Sequence, residues 1–287
     1  MKPPFRWGVL GTANIARTFV EAVRRTPDAT VRAVASRTLP KAEQWASELG
    51  IPTAYGSYDR LLLSGDIDAV YIPLPNSLHR EWCLRSIGQG VPALCEKPFT
   101  LTARQAASVV KASLKKGVPV AEAFMYRFHP VYERIRVLIA NGGIGRLTTI
   151  FAQFTFALDD EISISANADL GGGALMDVGC YCVNAARLIT GAEPLRASAF
   201  ARCDKVDRTM TGMLEFPGGV LAHFETAIEN FERRRLEIAG TDGAIVLEQP
   251  WFPGEAEGCF IHRRPEGDKI ITAPGANGYI AEIEVND

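Results

Sequence analysis

Hydrophobic and polar residues follow different rhythms in the two halves of this chain. Over the first 123 residues, short runs rich in β-branched residues alternate with longer segments whose apolar residues recur at helical spacing. The short runs predict strands at 6–10, 30–35, 53–55, 69–73, 93–96 and 118–123. The longer segments predict helices at 15–25, 39–50, 77–89 and 102–117. This alternation is typical of β-α-β units and predicts one parallel sheet.

After about residue 123 the rhythm changes. The pattern predicts a helix at 130–140, a long strand at 147–158 and a helix at 171–190 that includes a Gly-rich turn. Strands then follow at 197–203, 209–216, 220–227, 233–239, 244–247 and 259–263, with turn signals at 217–219 and 241–243. We therefore predict an α/β fold with a parallel-sheet domain at 1–123. The second domain, at 124–287, is predicted to be of the α+β type, with a mostly antiparallel sheet.

Composition narrows the classes of partner. The chain has 287 residues, enough for about two domains, and 31 Lys and Arg against 33 Asp and Glu leave a net charge of -2. That charge disfavours binding to nucleic acid or to an anionic membrane surface. The apolar runs are shorter than the roughly 20 residues of a membrane span. The N-terminus lacks the apolar segment of a secretory signal, so we interpret the protein as cytoplasmic.

Cysteine usage agrees with that compartment. The six cysteines form no C-x-x-C pair and are interpreted as reduced thiols. We therefore predict neither a disulfide framework nor a metal site. The residues concerned are Cys83, Cys95, Cys180, Cys182, Cys203 and Cys259.

A Gly-rich turn joins the first predicted strand to the first predicted helix. Residues 8–16 read Gly-Val-Leu-Gly-Thr-Ala-Asn-Ile-Ala, a dinucleotide-binding fingerprint with substitutions. Gly11 suits the tight turn, and the small Ala13 lets the backbone approach a diphosphate at the positive end of the helix. The alternative is an ordinary strand-to-helix turn without a ligand. The predicted cofactor-binding residues in this turn are Gly11, Thr12, Ala13, Asn14 and Ile15.

The end of the second strand indicates which dinucleotide is bound. NAD-binding chains usually have an Asp or Glu here for the ribose diol, whereas this chain has Ser36 and Arg37, followed by Lys41. A guanidinium binds a 2′-phosphate through charge-assisted hydrogen bonds, so the sequence favours NADP over NAD. The alternative is that Arg37 is only a solvated loop cation.

Two further groups of residues suggest chemistry. Lys97 follows the fifth strand at the carboxyl edge of the predicted sheet, where it can donate a hydrogen bond to a reacting oxygen. Asp177 and Tyr181 are four residues apart on a predicted helix, so both project from one face and are candidates for proton transfer. Each of these residues also has a purely structural alternative. Lys97 could cap a strand edge, Asp177 could accept hydrogen bonds from helix amides, and Tyr181 could be a core residue.

Together these residues resemble the Gfo/Idh/MocA family of oxidoreductases. The resemblance covers nearly the whole chain and rests on the motifs at 8–16, 74–79, 96–98, 122–128 and 171–181. The chain is most similar to the branch of dimeric dihydrodiol dehydrogenases and NADP-dependent D-xylose dehydrogenases. That branch has Ser-Arg after the second strand, and a Tyr where many relatives have a His.

The resemblance implies a Rossmann domain, followed by a domain whose large open sheet mediates dimer or tetramer contacts. It also implies that Lys97 orients the reacting oxygen, that Tyr181 is the acid/base and that Asp177 assists. The further cofactor-binding residues it implies are Leu74, Pro75, Asn76, His79, Glu96, Lys97 and Arg127. Substrate recognition is expected from side chains of the second domain, among them Phe154, Phe156, Asp160 and Arg202.

The predicted function is NADP-dependent hydride transfer to or from a sugar, a polyol or a cyclic vicinal diol. The first alternative is a non-catalytic NADP-binding sensor or scaffold of the same fold. A hydrolase or lyase that uses the cofactor transiently on a glycoside ranks below both. The resemblance also implies further helical sequence after the last strands, so the second domain is expected to lack the family's terminal helix.

Overall fold

The computed structural model describes residues 3–159 and 163–286. It contains two compact units. The first consists of the chain up to Met125 together with the residues from Tyr279 onward, and the second spans Tyr126–Gly278. Among the described residues, no helix is long and apolar enough to cross a lipid bilayer.

The first unit is a series of alternating strands and helices. Its strands are β1 (Phe5–Leu10), β2 (Ala29–Ala35), β3 (Thr53–Tyr55), β4 (Ala69–Ile72), β5 (Ala93–Glu96) and β6 (Val120–Ala123). Its helices are α1 (Asn14–Arg25), α2 (Leu39–Glu48), α3 (Tyr58–Leu62), α4 (Asn76–Gln89) and α5 (Ala103–Lys116). The six strands form a sheet in the order β3-β2-β1-β4-β5-β6, and all neighbouring pairs are parallel. The order reverses between β1 and β4, which places a crevice at their carboxyl ends.

Each face of this sheet has its own core. One face packs on α1 and α2 through buried residues such as Phe19 and Trp45. The opposite face packs on α3, α4 and α5, with Trp82 and Val109 among the buried side chains. Because the strands are covered on both faces, they are almost continuously apolar, as parallel sheets require.

The second unit is built on a larger sheet. Its strands are β7 (Leu147–Ala157), β8 (Arg196–Cys203), β9 (Asp207–Glu215), β10 (Leu221–Ala227), β11 (Glu229–Gly240), β12 (Ala244–Leu247), β13 (Glu257–Arg263) and β14 (Lys269–Pro274). Its helices are α6 (Pro130–Ala140) and α7 (Cys180–Thr190), with a π-helical turn at Leu175–Gly179. The strand order is β14-β13-β12-β11-β7-β10-β9-β8, and only the β7–β10 pair is parallel. These two sheets confirm the predicted fold class.

A last helix, α8 (Gly278–Asn286), returns to the first unit. Its Ile283 is fully buried in the core cluster that contains Phe19, Tyr71 and Leu94. The same cluster contains buried residues of α1, α2, β4, β5 and β6, so α8 contributes to the core on this face of the sheet. Residues 279–287 were predicted to belong to the second domain, whereas in the structure they belong to the first unit. The main segment of the first unit ends at Met125, two residues after the predicted boundary.

Three elements were not predicted: α3, β14 and α8. Each is short, and periodicity is a weak signal over so few residues. The segment 171–190, which was predicted as one helix after a Gly-rich turn, contains a π-helical turn before its α-helix. Its first regular turn is the π-helix at Leu175–Gly179, in which the amide of Cys180 donates to the carbonyl of Leu175.

Candidate active site

The turn between β1 and α1 has the shape expected of a phosphate-binding loop. Gly11 has a φ of +112°, which a residue with a side chain rarely adopts, and its amide donates to the Ala35 carbonyl at 2.9 Å. The N-cap residue of α1 is Ala13, which makes no side-chain cap. Because Ala13 offers no side-chain cap, free amides at the start of the helix can bind an anion. Thr12 and Ile15 are partly exposed here, and Asn14 is exposed.

The end of β2 presents positive charge. Ser36 is buried and its amide donates to the Tyr55 carbonyl at 3.1 Å, whereas Arg37 and Lys41 are exposed. Burial raises the pKa of Tyr58, and the positive charge of Arg37 opposes that rise, so Arg37 lies near this ring. The Tyr58 hydroxyl is also close to the turn at Gly11. The fingerprint turn and the cations after β2 therefore lie on one side of the first unit.

The carboxyl end of β4 leads into α4 through Leu74, Pro75 and Asn76. Leu74 is buried, Pro75 is the N-cap of α4 and Asn76 is its first residue, both of these being partly exposed. The two partly exposed residues are the members of this group that remain accessible to a cofactor.

His79 and Glu96 hold the neighbouring backbone in place. The His79 ring is fully buried, with Nδ1 2.8 Å from the Pro98 carbonyl oxygen and Nε2 2.7 Å from the Leu74 carbonyl oxygen. Burial lowers the pKa of His79, and the two carbonyl contacts oppose this effect. Glu96 accepts hydrogen bonds from the Tyr71 hydroxyl at 2.6 Å and from the Lys97 amide at 3.2 Å.

These contacts fix the turn that carries Lys97. The amide of Phe99 donates to the Glu122 carboxylate at 2.7 Å, which adds a third anchor after the lysine. Lys97 itself is partly exposed at the carboxyl edge of β5. Both His79 and Glu96 were predicted to bind the cofactor, and this stays a prediction; in the structure their polar atoms contact protein groups beside Lys97.

In the second unit, the Gly-rich segment holds Asp177 within the π-helix. The Ser165 hydroxyl donates to Asp177 Oδ2 at 2.6 Å, and the Gly173 amide donates to the Ser165 carbonyl at 2.9 Å. Gly173 has a φ of +114°, and a Cβ at this position would collide with the Asp207 carboxylate. Asp207 in turn accepts from the Leu175 amide at 2.7 Å, which caps the π-helix. A π-helical turn within a helix is often found at a functional site.

Tyr181 lies in the first turn of α7, within a cluster of aromatic rings. Its ring centroid is 5.5 Å from Phe154, 5.6 Å from Trp251 and 5.8 Å from Tyr126. Trp251 is fully buried and its indole N–H donates to the Gln153 carbonyl at 3.1 Å. The prediction placed Asp177 and Tyr181 on one α-helix. In the structure, Asp177 belongs to the π-helical turn and Tyr181 to the α-helix that continues from it.

The remaining predicted residues are dispersed. Arg127 is exposed and lines a cavity of about 280 Å³ together with Asn184 and Arg187. Phe154 belongs to the aromatic cluster around Tyr181, and Phe156 is partly exposed. Arg202 is exposed on β8 and forms an ion pair with Glu229. Asp160 lies outside the described residues.

Sequence reasoning missed the residues that support the predicted ones. Tyr71, Ser165 and Trp251 each contact a candidate site residue, and Asp207 accepts from the Leu175 amide in the turn that contains Asp177. Their contacts are tertiary, and no local spacing announces them. Two of these residues have a noticeable sequence context. Asp207 precedes an arginine, and Trp251 is a large ring in a segment flanked by prolines. Neither context predicts which residue the side chain contacts.

Family models match both units. Residues 5–124 match "Oxidoreductase family, NAD-binding Rossmann fold", and residues 132–246 match the "GFO/IDH/MocA C-terminal domain". A D-xylose 1-dehydrogenase (NADP(+)) from Haloferax volcanii is 42% identical, over 97% of this chain and 86% of its own length. This chain belongs to the Gfo/Idh/MocA family. The match confirms the family inferred from the motifs.

Two other known proteins are similar to this member of the Gfo/Idh/MocA family over most of the chain. A trans-1,2-dihydrobenzene-1,2-diol dehydrogenase from Xenopus laevis is 36% identical, over 86% of this chain and 77% of its own length. The 3-ketoreductase KijD10 from Actinomadura kijaniata, solved with NADP and TDP-benzene, has a TM-score of 0.91 and 29% identity. That likeness covers 99% of this chain and 88% of KijD10.

Proposed function

We propose that this protein is an NADP-dependent oxidoreductase that transfers hydride between the nicotinamide and a CH–OH carbon. The substrate would be a sugar, a polyol or a cyclic vicinal diol. A D-xylose dehydrogenase and a dihydrodiol dehydrogenase are both similar to the chain over most of its length. Their substrates share a secondary or anomeric hydroxyl that is oxidised, which is the chemistry proposed for this chain.

The residues present fit NADP. The turn at Gly11 and the uncapped start of α1 provide a backbone site for the diphosphate. Arg37 and Lys41 are exposed cations for a 2′-phosphate, and residues 34–37 contain no carboxylate that would repel it. The xylose dehydrogenase is named for NADP and KijD10 was solved with it. Pro75, Asn76 and Arg127 are proposed as further contacts.

The observation that carries the catalytic proposal is the distance in sequence between Lys97 and Tyr181, compared with that between two residues of KijD10. KijD10 has been solved as variants in which one lysine is replaced by Ala or Glu, and in another one tyrosine by Phe. Those two residues of KijD10 are separated by the same number of positions as Lys97 and Tyr181 here. With nearly the whole of both chains superimposable, this supports Lys97 and Tyr181 as the pair that acts on substrate.

In the proposed reaction, NADP supplies the hydride acceptor when it is bound. In the oxidation direction Tyr181 acts as the phenolate and takes the proton of the reacting hydroxyl, becoming the phenol, and Lys97 donates a hydrogen bond that stabilises the oxygen as it becomes negative. A phenol titrates near pH 10 in water, so this role at neutral pH requires surroundings that favour the phenolate. Asp177, held by Ser165, orients the substrate in the same reaction.

The direct test is the appearance of NADPH with a panel of aldoses, polyols and cyclic vicinal diols. We expect turnover with at least one member, and a higher kcat/KM with NADP than with NAD. Tight NADP binding without turnover of any member would instead favour the non-catalytic sensor or scaffold. Substrate cleavage without net NADPH would favour transient redox chemistry on a glycoside.

We also propose that copies of the chain associate through the larger sheet. Every residue of its edge strand β8 is exposed, and Phe200 on that strand has 87% of its surface accessible. An exposed edge strand offers unpaired backbone groups to another chain, and a large exposed ring adds apolar contact area to it. Light scattering of the purified protein should give a dimer or tetramer, and Phe200→Glu should shift it toward the monomer. A wild-type monomer at all concentrations would contradict the proposal.

A further inference from the structure

Three consecutive arginines on β11 divide between the two faces of the sheet. Arg233 and Arg235 are paired with carboxylates, Arg233 with Glu225 and Arg235 with Glu237 at 3.1 Å. Arg234 points to the opposite face, because successive side chains of a strand alternate. Its register partner on β7 is Phe154, so it shares a face with the aromatic cluster around Tyr181.

Arg234 packs between two of these rings. Its guanidinium carbon is 5.6 Å from the centre of Phe154 and 4.9 Å from the centre of Phe252. The Phe154 ring makes an edge contact with Tyr181, so one ring separates the guanidinium from the proposed acid/base. Placing a charged group among rings requires partners for its donors.

The protein supplies few of those partners. Arg234 Nη2 is 3.2 Å from the exposed carboxylate of Glu232, and Nη1 is 3.4 Å from Gln249 Oε1, a long contact. Across residues 3–159 and 163–286, the buried Nε–H has no hydrogen-bond acceptor. A guanidinium carries five N–H donors. Since 23% of its side chain is accessible, hydrogen-bonding capacity remains for a ligand.

The segment that holds Phe252 and Gln249 is anchored on both sides. The Tyr132 hydroxyl donates to the Pro250 carbonyl at 2.8 Å, and Trp251 bonds to the Gln153 carbonyl. Phe252 nevertheless keeps 43% of its surface exposed. An open aromatic face is therefore held beside a planar cation and a planar amide.

This arrangement suits a polyhydroxylated molecule. An aromatic face packs on the C–H groups of a sugar, while the guanidinium, amide and carboxylate offer donors and acceptors to neighbouring hydroxyls. The charges of Arg234 and Glu232 offset each other, which favours a neutral ligand over an anion. A ring that lacks further hydroxyls would leave these polar groups unpaired, and a site built for hydroxyls discriminates against such an analogue.

We propose that Arg234, Gln249 and Phe252 form a carbohydrate subsite next to Tyr181, which selects sugars over cyclic diols with a hydrocarbon ring. The proposal rests on the proposed oxidoreductase function for its effect on turnover. It divides the two substrate classes that the similar xylose and dihydrodiol dehydrogenases represent.

The test compares one inward arginine with its outward neighbour. Arg234→Met and Arg233→Met are assayed in the full chain with NADP, using D-xylose and trans-1,2-cyclohexanediol. For Arg234→Met we expect kcat/KM to fall about 10- to 100-fold with xylose and less than about 3-fold with the diol. Arg233→Met should leave the ratio of the two values unchanged, and light scattering checks that each variant keeps the wild-type assembly.

A second variant controls for misfolding of Arg234→Met, and a binding measurement keeps the test informative if the protein shows no turnover. Phe252→Leu, at an exposed position, should shift the ratio in the same direction without lowering the melting temperature. Xylose binding is followed by saturation-transfer NMR, independently of turnover. Equal losses for both substrates in Arg234→Met, or xylose binding that persists unchanged in this variant, would overturn the subsite. Wild-type binding that depends on Arg234 without any turnover would support the subsite and contradict the proposed function.

Discussion

The two units position their candidate residues by different means. In the first unit, the backbone around Lys97 is fixed by a hydrogen bond between His79 and the Pro98 carbonyl and by amides that donate to the carboxylates of Glu96 and Glu122. In the second unit, Tyr181 is placed by ring contacts and Asp177 by the Ser165 hydroxyl. A backbone anchored at several points tolerates changes of exposed side chains. A site made of interlocking side chains changes with each of them.

The largest effect is expected at Tyr181. Tyr181→Phe keeps the ring contacts with Phe154 and Trp251 and removes the hydroxyl alone. If this phenol is the acid/base, kcat falls about 10²- to 10⁴-fold, while the affinity for NADP stays within about 2-fold. Steady-state kinetics and fluorescence titration with NADPH measure the two quantities.

Tyr132→Phe is the matched control for that experiment. It removes another hydroxyl from the same aromatic cluster, one that donates to the Pro250 carbonyl. We expect a modest loss of stability of about 1 kcal/mol and, with a cyclic diol that does not use the proposed carbohydrate subsite, a kcat close to the wild-type value. If Tyr181→Phe retained most of its kcat, the proton-transfer role would pass to Lys97 or to a water molecule.

A smaller effect is expected at Arg37 in the first unit. Arg37→Ala removes an exposed cation after β2 and leaves the anchored backbone intact. Losing a charge-assisted contact with the 2′-phosphate should raise KM for NADP about 10- to 100-fold and KM for NAD less than about 2-fold. Arg25→Ala, at the far end of α1, should change neither value. Equal increases for both cofactors would remove Arg37 from the phosphate site.

The smallest effect concerns Glu282 on α8. Burial, and then the negative charge of Glu96, raise the pKa of Glu282 well above its usual range. A carboxyl with a higher pKa in the folded state stabilises the fold below its unfolded pKa, near 4.5, and this contribution is lost as the pH rises through the folded pKa. Glu282→Gln removes that titration.

The free energy of unfolding of Glu282→Gln should therefore exceed the wild-type value by about 1–2 kcal/mol at alkaline pH. The difference should shrink as the pH falls toward about 5. Urea denaturation at a series of pH values measures it, with Glu43→Gln, at an exposed position on α2, as the control. A variant less stable than wild type at alkaline pH would show that the ionised carboxylate is bound favourably by its surroundings.

The site residues of the first unit could be predicted from sequence more fully than the contacts that hold those of the second unit. The turn at Gly11, the cations after β2 and the strand edge at Lys97 are local signals, since each depends on residues that are neighbours in sequence and on a strand order that β-α-β units impose. Asp177 and Tyr181 were also found from their spacing. The π-helical turn that contains Asp177 was not predicted, because Asp207, which caps it, lies thirty positions after Asp177 in the chain.

The carbohydrate subsite proposed around Arg234 was hidden for a related reason. In sequence, Arg233, Arg234 and Arg235 form an undivided basic run. Only the register of β11 on β7 shows that the middle residue faces the aromatic rings. His79 and Glu96 were predicted as cofactor ligands. The sequence alone could not show that both side chains are buried.

The return of α8 to the first sheet affects the order in which the protein can fold during synthesis. The six strands of that sheet leave the ribosome before the whole of the second unit. One apolar face beside Leu94 and Ala123 stays open until Ile283 emerges. A nascent chain therefore carries an exposed hydrophobic surface for most of its translation, in the unit expected to bind the nucleotide. The core of the second unit is therefore the first of the two that can be fully enclosed.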